Sequence, residues 1–291
     1  MNYTISHRTT FEYTQQVSIS HHLLHLGARA VPYQRVQSNA LLIEPAPAVQ
    51  NQGIDYFGNP THHLTIQDTH NKLTILATMS INVEMPPYVD ANATPAWEDV
   101  RDTLPDSKDP ECLEALEFCF PSSLAPVSDV VGAYVQQSFW PGRPILSGTE
   151  DLMQRIFTDF KYEGGVTDIS TPIETVLETK TGVCQDFAHL MIGGLRTLGL
   201  PARYISGYIR TAPPEGEERL VGADASHAWV SVYAPGFGWT DFDPTNNKRR
   251  TEDHITLAWG RDYSDVSPIN GLIVGGGEHE IEVEVDVRPE T

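Results

Sequence analysis

Cys184 stands where the sequence predicts the start of a helix. The turn-prone residues 181–183 precede it, and the apolar-periodic run 184–199 closes at Gly199, shortly before Pro201. The first turn of a helix offers unpaired backbone N–H groups and the positive end of the macrodipole, which together favour a thiolate. A thiolate is a nucleophile, and the same N–H groups can bind the oxyanion of a tetrahedral intermediate. Taken alone, a free cysteine is more often simply buried under a helix.

His227 could supply the base that a nucleophilic thiol requires. It lies 43 residues after Cys184 (227 − 184) and belongs to a predicted strand over 227–233. A rigid strand can hold an imidazole against a helix N-terminus, where the two groups form a thiolate and an imidazolium near neutral pH. The imidazolium can later protonate the leaving group. By itself, a histidine at a strand end is more often an ordinary surface or core residue.

Asp243 follows His227 by 16 residues (243 − 227) on the next predicted strand, 239–242 and its end. Counting outward from a tight loop centred near residue 235 pairs His227 directly with Asp243 in an antiparallel hairpin. A carboxylate there would fix the tautomer of the ring and stabilise its charged form. Asp241 lies two residues earlier on the same strand face and competes for this role. Either acid could instead cap a turn before Pro244.

The elements that must position these residues divide into two halves. Residues 3–85 predict several short strands, which suggests an antiparallel β-sandwich-like domain. The acidic, Pro-rich stretch 85–110 shows little periodicity and is expected to wrap the surface or link parts. We expect domains at 1–145 and 146–291. Further helices are predicted over 111–120, 128–139 and 149–160, and further strands over 202–209 and 279–287.

Several of these segments together resemble the transglutaminase-like (papain-like) superfamily, and in particular the bacterial transglutaminase-like cysteine peptidases. The matching segments are 182–189 (GVCQDFAH), 200–208 (LPARYISGY), 223–229 (ADASHAW) and 238–246 (GWTDFDPTN), while 55–60 (DYFGNP) is similar to the associated N-terminal domain. The resemblance implies an α+β fold, in which a β-rich N-terminal domain precedes a papain-like core with the cysteine helix packed on an antiparallel sheet. It implies Cys184 as nucleophile, His227 as base and Asp243 as orienting acid.

The resemblance also implies supporting residues around the thiol. An upstream tryptophan commonly assists the oxyanion hole in this superfamily, and Trp140 is the candidate here. Gln185 is another possible amide donor, although on a helix its side chain could point away from the thiol. Trp229 and Asp241 are further candidates for site support.

Composition excludes several classes of function. The chain has 19 Lys and Arg against 39 Asp and Glu, and its formal net charge of −20 would repel nucleic acids and anionic membranes. No apolar run approaches the roughly 20 residues that cross a bilayer, and residues 1–13 alternate like a strand. Cys112 and Cys119 would lie about 10 Å apart on one helix, too far for a disulfide. A reducing, cytoplasmic location is expected.

A metal site is a weaker alternative. His21, His22 and His25 are clustered, but no acidic residue stands at the spacing of a metalloprotease motif. We therefore expect neither a metal nor another cofactor. The favoured function is thiol-dependent hydrolysis of a peptide or protein substrate. A protein-glutamine transglutaminase and a non-catalytic peptide-binding scaffold of the same fold are the alternatives, because hydrolysis and amine transfer differ only in the group that resolves the thioester.

Overall fold

The computed structural model describes residues 1–211 and 226–290. Residues 223–225, which form part of the third motif, lie outside the described residues. The described chain is a mixture of helices and antiparallel strands built around two sheets. In chain order the strands are β1 Asn2–Leu24, β2 Gln34–Glu44, β3 Val49–Ile54, β4 Pro60–Ile66, β5 His70–Val83, β6 Lys161–Tyr162, β7 Thr181–Gly182, β8 Ala202–Ile209, β9 Ser226–Ala234, β10 Gly238–Asp243, β11 Lys248–Arg249, β12 His254–Gly260, β13 Ile269–Gly275 and β14 His279–Glu290.

The first sheet is organised by the long strand β1. Its residues 2–12 lie between β5 and β14, while residues 20–24 lie between β4 and β13. The pairing with β5 is interrupted between Glu12 and Val17, where an irregularity bends the strand. The first half of β1 alternates buried and outward-facing residues, with Tyr3 and Ile5 fully buried, so that one face covers an apolar core. The result is a curled antiparallel sheet.

The second sheet has the strand order β11-β10-β9-β8-β12, and every neighbouring pair is antiparallel. Strands β8 and β9 are buried over almost their whole length, because helices cover one side and other parts of the chain cover the other. The short strands β6 and β7 form a separate parallel pair that leads into the cysteine helix.

The helices pack around the second sheet. They are α1 Trp97–Thr103, α2 Pro110–Glu117, α3 Asp129–Gln136, α4 Ile145–Asp159, α5 Ile173–Thr179 and α6 Cys184–Thr197. Helix α6 is the central one, since residues 186–196 are all buried and the helix contacts β8, β9 and α3–α5. A cysteine-bearing helix packed on an antiparallel sheet confirms the α+β fold that the motifs implied.

Most predicted elements are present with shifted ends. Strand β8 matches its predicted bounds, whereas α4 begins four residues earlier than predicted, directly after Pro144, where Ile145 is already fully buried. The stretch 85–110 differs most. It contains α1 and two 3₁₀ turns, and the buried side chains of Trp97 and Val100 anchor it to the second core. A helix of seven residues is too short to produce a clear periodic signal.

Contacts cross the expected domain boundary at residue 145 in both directions. Strands β13 and β14, from the end of the chain, complete the first sheet by pairing with β1. Helices α1 and α3, which precede the boundary, contribute buried side chains to the core of the second sheet. The division into domains 1–145 and 146–291 therefore stays a prediction about folding units.

None of the helices formed by residues 1–211 and 226–290 combines the length and the apolar character that a bilayer crossing requires.

Gly207 provides a test of how tightly the second sheet is packed. An added Cβ at this position of β8 would lie 2.0 Å from the carbonyl oxygen of Ile255 and 2.7 Å from the ring of Trp229. We expect Gly207→Ala to lower the free energy of unfolding by about 1–3 kcal/mol, because the overpacked strands must shift. Urea denaturation measures this change. Gly164→Ala is the control, since its Cβ would meet nothing within 4 Å; equal midpoints for both variants would contradict the packing described.

Candidate active site

Cys184 is the first residue of α6, as the sequence predicted. The N-cap residue Val183 is extended and has no polar side chain, so no side chain of the N-cap bonds the first turn. The first-turn backbone N–H groups have no partner within the helix itself and point toward its N-terminal end. The thiol is partly exposed. A half-buried sulfur beside such N–H groups has both an approach for substrate and donors for a developing oxyanion.

Asp186 fixes the path of the chain into this helix. Its Oδ2 accepts hydrogen bonds from the backbone N–H of Val183 and from the hydroxyl of Thr167, both at 2.7 Å. Gly182 is required by the close approach, because a Cβ there would lie 2.8 Å from the same carboxylate oxygen. These contacts hold the nucleophile at a defined place relative to the sheet.

His227 and Asp243 form a buried hydrogen bond. The ring Nε2 of His227 lies 2.8 Å from Oδ2 of Asp243, and the two residues are 8% and 0% exposed. Burial lowers the pKa of His227, but hydrogen bonds to Asp243 and Cys184, together with their charges, raise it to about 9 on balance. The ring is therefore an imidazolium at neutral pH. Since Nε2 faces Asp243, Nδ1 is the nitrogen left for the thiol of Cys184.

The hairpin that joins these two residues has a different register from the predicted one. Trp239 pairs with Tyr233 and Phe242 with Val230, so the hairpin is centred on residue 236, and its continuation places Asp243 opposite Trp229. The direct pairing of His227 with Asp243 was wrong. The turn spans residues 235–237, so its centre lies at residue 236, one residue later than predicted. The error is an even number of residues, so Asp243 still lies on the same strand face and reaches His227 diagonally.

Asp243 is surrounded by donors. Its Oδ1 accepts the backbone N–H groups of Thr245 and Asn246 at 3.0 and 3.1 Å. Its Oδ2 accepts from the side-chain amide of Asn246 at 2.7 Å and from Nε2 of His254 at 3.2 Å, besides His227. Burial alone would raise the pKa of Asp243, but the hydrogen bonds from His227 and His254, together with the positive charge of His227, hold it well below its usual range. The carboxylate stays ionised in the interior.

Asn246 and His254 were not among the candidates from the sequence. Asn246 ends the motif 238–246, and its amide also lies 3.3 Å from Nε2 of His227, so its position three residues after Asp243 was a usable signal. His254 had no such signal. It belongs to β12, which pairs with β8 and is therefore separated from β10 in the sheet order.

The competing acid, Asp241, serves a different residue. Its Oδ2 accepts the indole N–H of Trp229 at 3.1 Å, and Trp229 is fully buried with its ring edge-on to that of His254, at a centroid distance of 5.2 Å. Trp229 and Asp241 thus lie beneath the two histidines, where they can support the site. Trp140 is 55% exposed and stacks on Arg143, and Gln185 is half-buried, so their part in an oxyanion hole remains a prediction.

His227, Asp243 and His254 are, among the described residues, the one group whose three possible metal-ligand atoms lie within 4.8 Å of one another. The backbone N–H of Thr251 donates to Nδ1 of His254 at 3.2 Å, which places the imidazole proton on Nε2. A metal would need the lone pair of that Nε2, so the arrangement suits proton donation better. The clustered histidines of the sequence have other partners: His21 is hydrogen-bonded to the hydroxyl of Thr65, and His25 to the backbone carbonyl of Ser267.

Comparison with known proteins agrees with the motifs. Residues 3–82 match the model of the bacterial transglutaminase-like N-terminal region, and residues 136–244 match that of the transglutaminase-like superfamily. An uncharacterised protein of Mycobacterium tuberculosis is 39% identical over 99% of this chain and 92% of its own length. A protein-glutamine gamma-glutamyltransferase of Pseudomonas aeruginosa is 38% identical over 102 residues, which are 33% of this chain and 15% of that protein. The crystal structure of a candidate cysteine protease from Cytophaga hutchinsonii superposes with a TM-score of 0.72 at 21% identity, covering 100% of this chain and 92% of the other, and supports the fold.

The three cysteines should differ sharply in reactivity. Burial raises the pKa of Cys119 to about 12, and Cys112 is buried beside the hydroxyl of Tyr233. Below about pH 7 we expect iodoacetamide to modify Cys184 at least tenfold faster than the other two thiols, because only Cys184 faces an imidazolium. Peptide mass spectrometry after timed labelling gives the three rates. Comparable, slow labelling at all three positions would contradict the thiolate–imidazolium pair.

Removing the carboxylate should lower the pKa of His227. In Asp243→Asn the hydrogen bond and the charge that raise this pKa are weakened, while the lowering by burial persists. We expect the NMR titration midpoint of His227 to move from about 9 to lower pH. The raised pKa of His227 stabilises the folded state fully below about pH 6.5, and this stabilisation is lost as pH rises through about 9. The free energy of unfolding of the wild type should therefore fall between these two pH values. The control is Asp241→Asn, which removes the acid that contacts Trp229. An equal shift of the His227 titration midpoint in both variants would show that the raised pKa of His227 does not depend specifically on Asp243.

Proposed function

This chain belongs to the transglutaminase-like superfamily and carries the bacterial transglutaminase-like N-terminal region; from that membership and the site we propose that it is a cysteine hydrolase of peptide or amide bonds. The observation that carries the proposal is the sequence of contacts from the partly exposed thiol of Cys184 through His227 to the buried carboxylate of Asp243. A nucleophile, a proton carrier and an orienting anion in this order are the parts of a catalytic triad.

In the first half of the proposed reaction, the thiolate of Cys184 attacks the carbonyl carbon of the substrate. The negative charge moves to the carbonyl oxygen, where the backbone N–H groups at the start of α6 can stabilise it. His227, as an imidazolium, gives its proton to the nitrogen of the leaving amine, and the C–N bond breaks. The products of this half are a free amine, a thioester on Cys184 and a neutral His227.

In the second half, water resolves the thioester. Neutral His227 takes a proton from the attacking water, and the thioester collapses to release a carboxylic acid and the thiolate. Asp243 stays ionised throughout, because five hydrogen-bond donors hold the charge in place despite the burial of the carboxylate. The carboxylate therefore orients and stabilises the imidazolium and takes up no proton.

A protein-glutamine transglutaminase is the second candidate. The similarity over 102 residues to a gamma-glutamyltransferase favours it, and it would use the same thioester with a primary amine in place of water. The choice between the two depends on which nucleophile reaches the thioester. A peptide-binding scaffold of the same fold is the third, and it would need no reactive thiol at Cys184.

We propose a peptide or protein as the substrate and no nucleic-acid partner, since a net charge of −20 disfavours binding of polyanions. A cytoplasmic location is the proposed compartment, supported by the three cysteines, all of which are free thiols. Fractionation of the native host with compartment markers tests the location; recovery outside the cytoplasmic fraction would contradict it.

A product assay separates the candidate functions. Wild type and Cys184→Ser are incubated with a library of glutamine-containing peptides, with and without a labelled primary amine, while ammonia, new peptide amino termini and incorporated label are measured. We expect hydrolysis by the wild type and a loss of about a thousandfold or more in Cys184→Ser, because a serine hydroxyl is a far poorer nucleophile in this setting. Label incorporation exceeding hydrolysis would favour the transglutaminase. No turnover by the wild type, with Cys184 unreactive toward alkylating agents, would favour the scaffold.

A further inference from the structure

We propose that His254 is a positioning residue of this site: as a neutral imidazole that donates from Nε2, it shares Oδ2 of Asp243 with His227 and limits how tightly the carboxylate holds the imidazolium. The proposal rests on the proposed function, because it assigns a role within the same site. His254 is fully buried at the start of β12. Its Nε2 lies 3.2 Å from the oxygen that accepts from His227 at 2.8 Å.

The hydrogen bond at Nδ1 of His254 sets the tautomer of its ring. The backbone N–H of Thr251 donates to Nδ1 at 3.2 Å, so Nδ1 is an acceptor and the ring proton lies on Nε2. Burial lowers the pKa of His254 despite its hydrogen bond to Asp243, which keeps the ring neutral. Within residues 1–211 and 226–290, the charged and titratable groups that face this trio from neighbouring elements are Cys184 of α6, Lys248 of β11, Asp241 beneath Trp229, and Arg250, which donates to the carbonyl of His254.

The carboxylate would remain in place without His254. Its Oδ1 is held by the backbone N–H groups of Thr245 and Asn246, and Oδ2 also accepts the side-chain amide of Asn246. Removing His254 therefore takes away one donor without releasing Asp243. More of the negative charge then acts on His227, which binds its proton more tightly and gives it up to the leaving amine more slowly.

The fold places the ring of His254 with little freedom. His254 reaches Asp243 from β12 although β8 and β9 lie between β12 and β10 in the sheet order. Gly207 of β8 leaves room for the ring of Trp229, since a Cβ there would lie 2.7 Å from that ring. His254 packs edge-on against that ring, with an interplanar angle of 77°. The contact with Asp243 thus depends on ring packing as well as on the hydrogen bond.

Two substitutions separate the donor from the packing. His254→Leu removes the donor, and His254→Gln retains an amide N–H near the place of Nε2. The control is His7→Leu, which replaces another buried histidine. His7 lies in the first sheet, and its ring is hydrogen-bonded at 2.7 Å to the hydroxyl of Tyr208 in β8. In His254→Leu we expect the alkaline limb of kcat to move above about 9, with kcat at neutral pH reduced about tenfold and KM changed less than about twofold. His254→Gln should restore the limb, and His7→Leu should leave it unchanged.

A second measurement needs no turnover. Ring ¹⁵N shifts of histidine-labelled protein should report the Nε2–H tautomer of His254 at neutral pH, and a titration midpoint of His227 that is higher in His254→Leu than in the wild type. An unchanged or lowered midpoint, an Nδ1–H tautomer or a charged His254 would overturn the proposal. If the wild type shows no thiol-dependent turnover, the proposed function fails, whereas these ring shifts still decide what His254 does to Asp243 and His227.

Discussion

The site depends on one buried hydrogen bond, between Nε2 of His227 and Oδ2 of Asp243. An isolated carboxylate in the interior would be neutralised by a proton, since burial penalises the charged form. Here two backbone N–H groups, one amide and two imidazoles donate to it, so the charge persists. That charge in turn keeps His227 protonated beside Cys184. The imidazolium beside the thiol thus depends on the charge of Asp243, which is completely buried.

The scaffold delivers the three groups from elements of different kinds. Helix α6 presents Cys184 at its N-terminus, and the hairpin of β9 and β10 carries both His227 and Asp243. Packing between α6 and β9 in the core brings the two elements together, so the contact between thiol and imidazole relies on tertiary structure. The first sheet contributes indirectly, since the side-chain amide of Gln34 pairs with the backbone of Thr256 in β12, the strand that positions His254.

Local patterns in the sequence were enough to predict the start of α6 and the association of His227 with Asp243, because a helix N-terminus and a short hairpin involve neighbouring residues. The predicted hairpin register was shifted by two residues along β9, because the sequence does not fix the centre of the turn around Gly236. Long-range features could not be predicted. The return of β14 to pair with β1 and the approach of His254 across β8 depend on the order of the strands in the two sheets. The tight packing of Gly207 against Trp229 is likewise a contact between residues distant in the sequence.

The most direct test of the central claim is the ultraviolet absorbance of the thiolate, measured as the difference between the wild type and Cys184→Ser across pH. We expect the wild type to show more thiolate at neutral pH than His227→Ala, because the imidazolium stabilises the negative sulfur. Equal thiolate signals in the two proteins would contradict this pairing of thiol and imidazole.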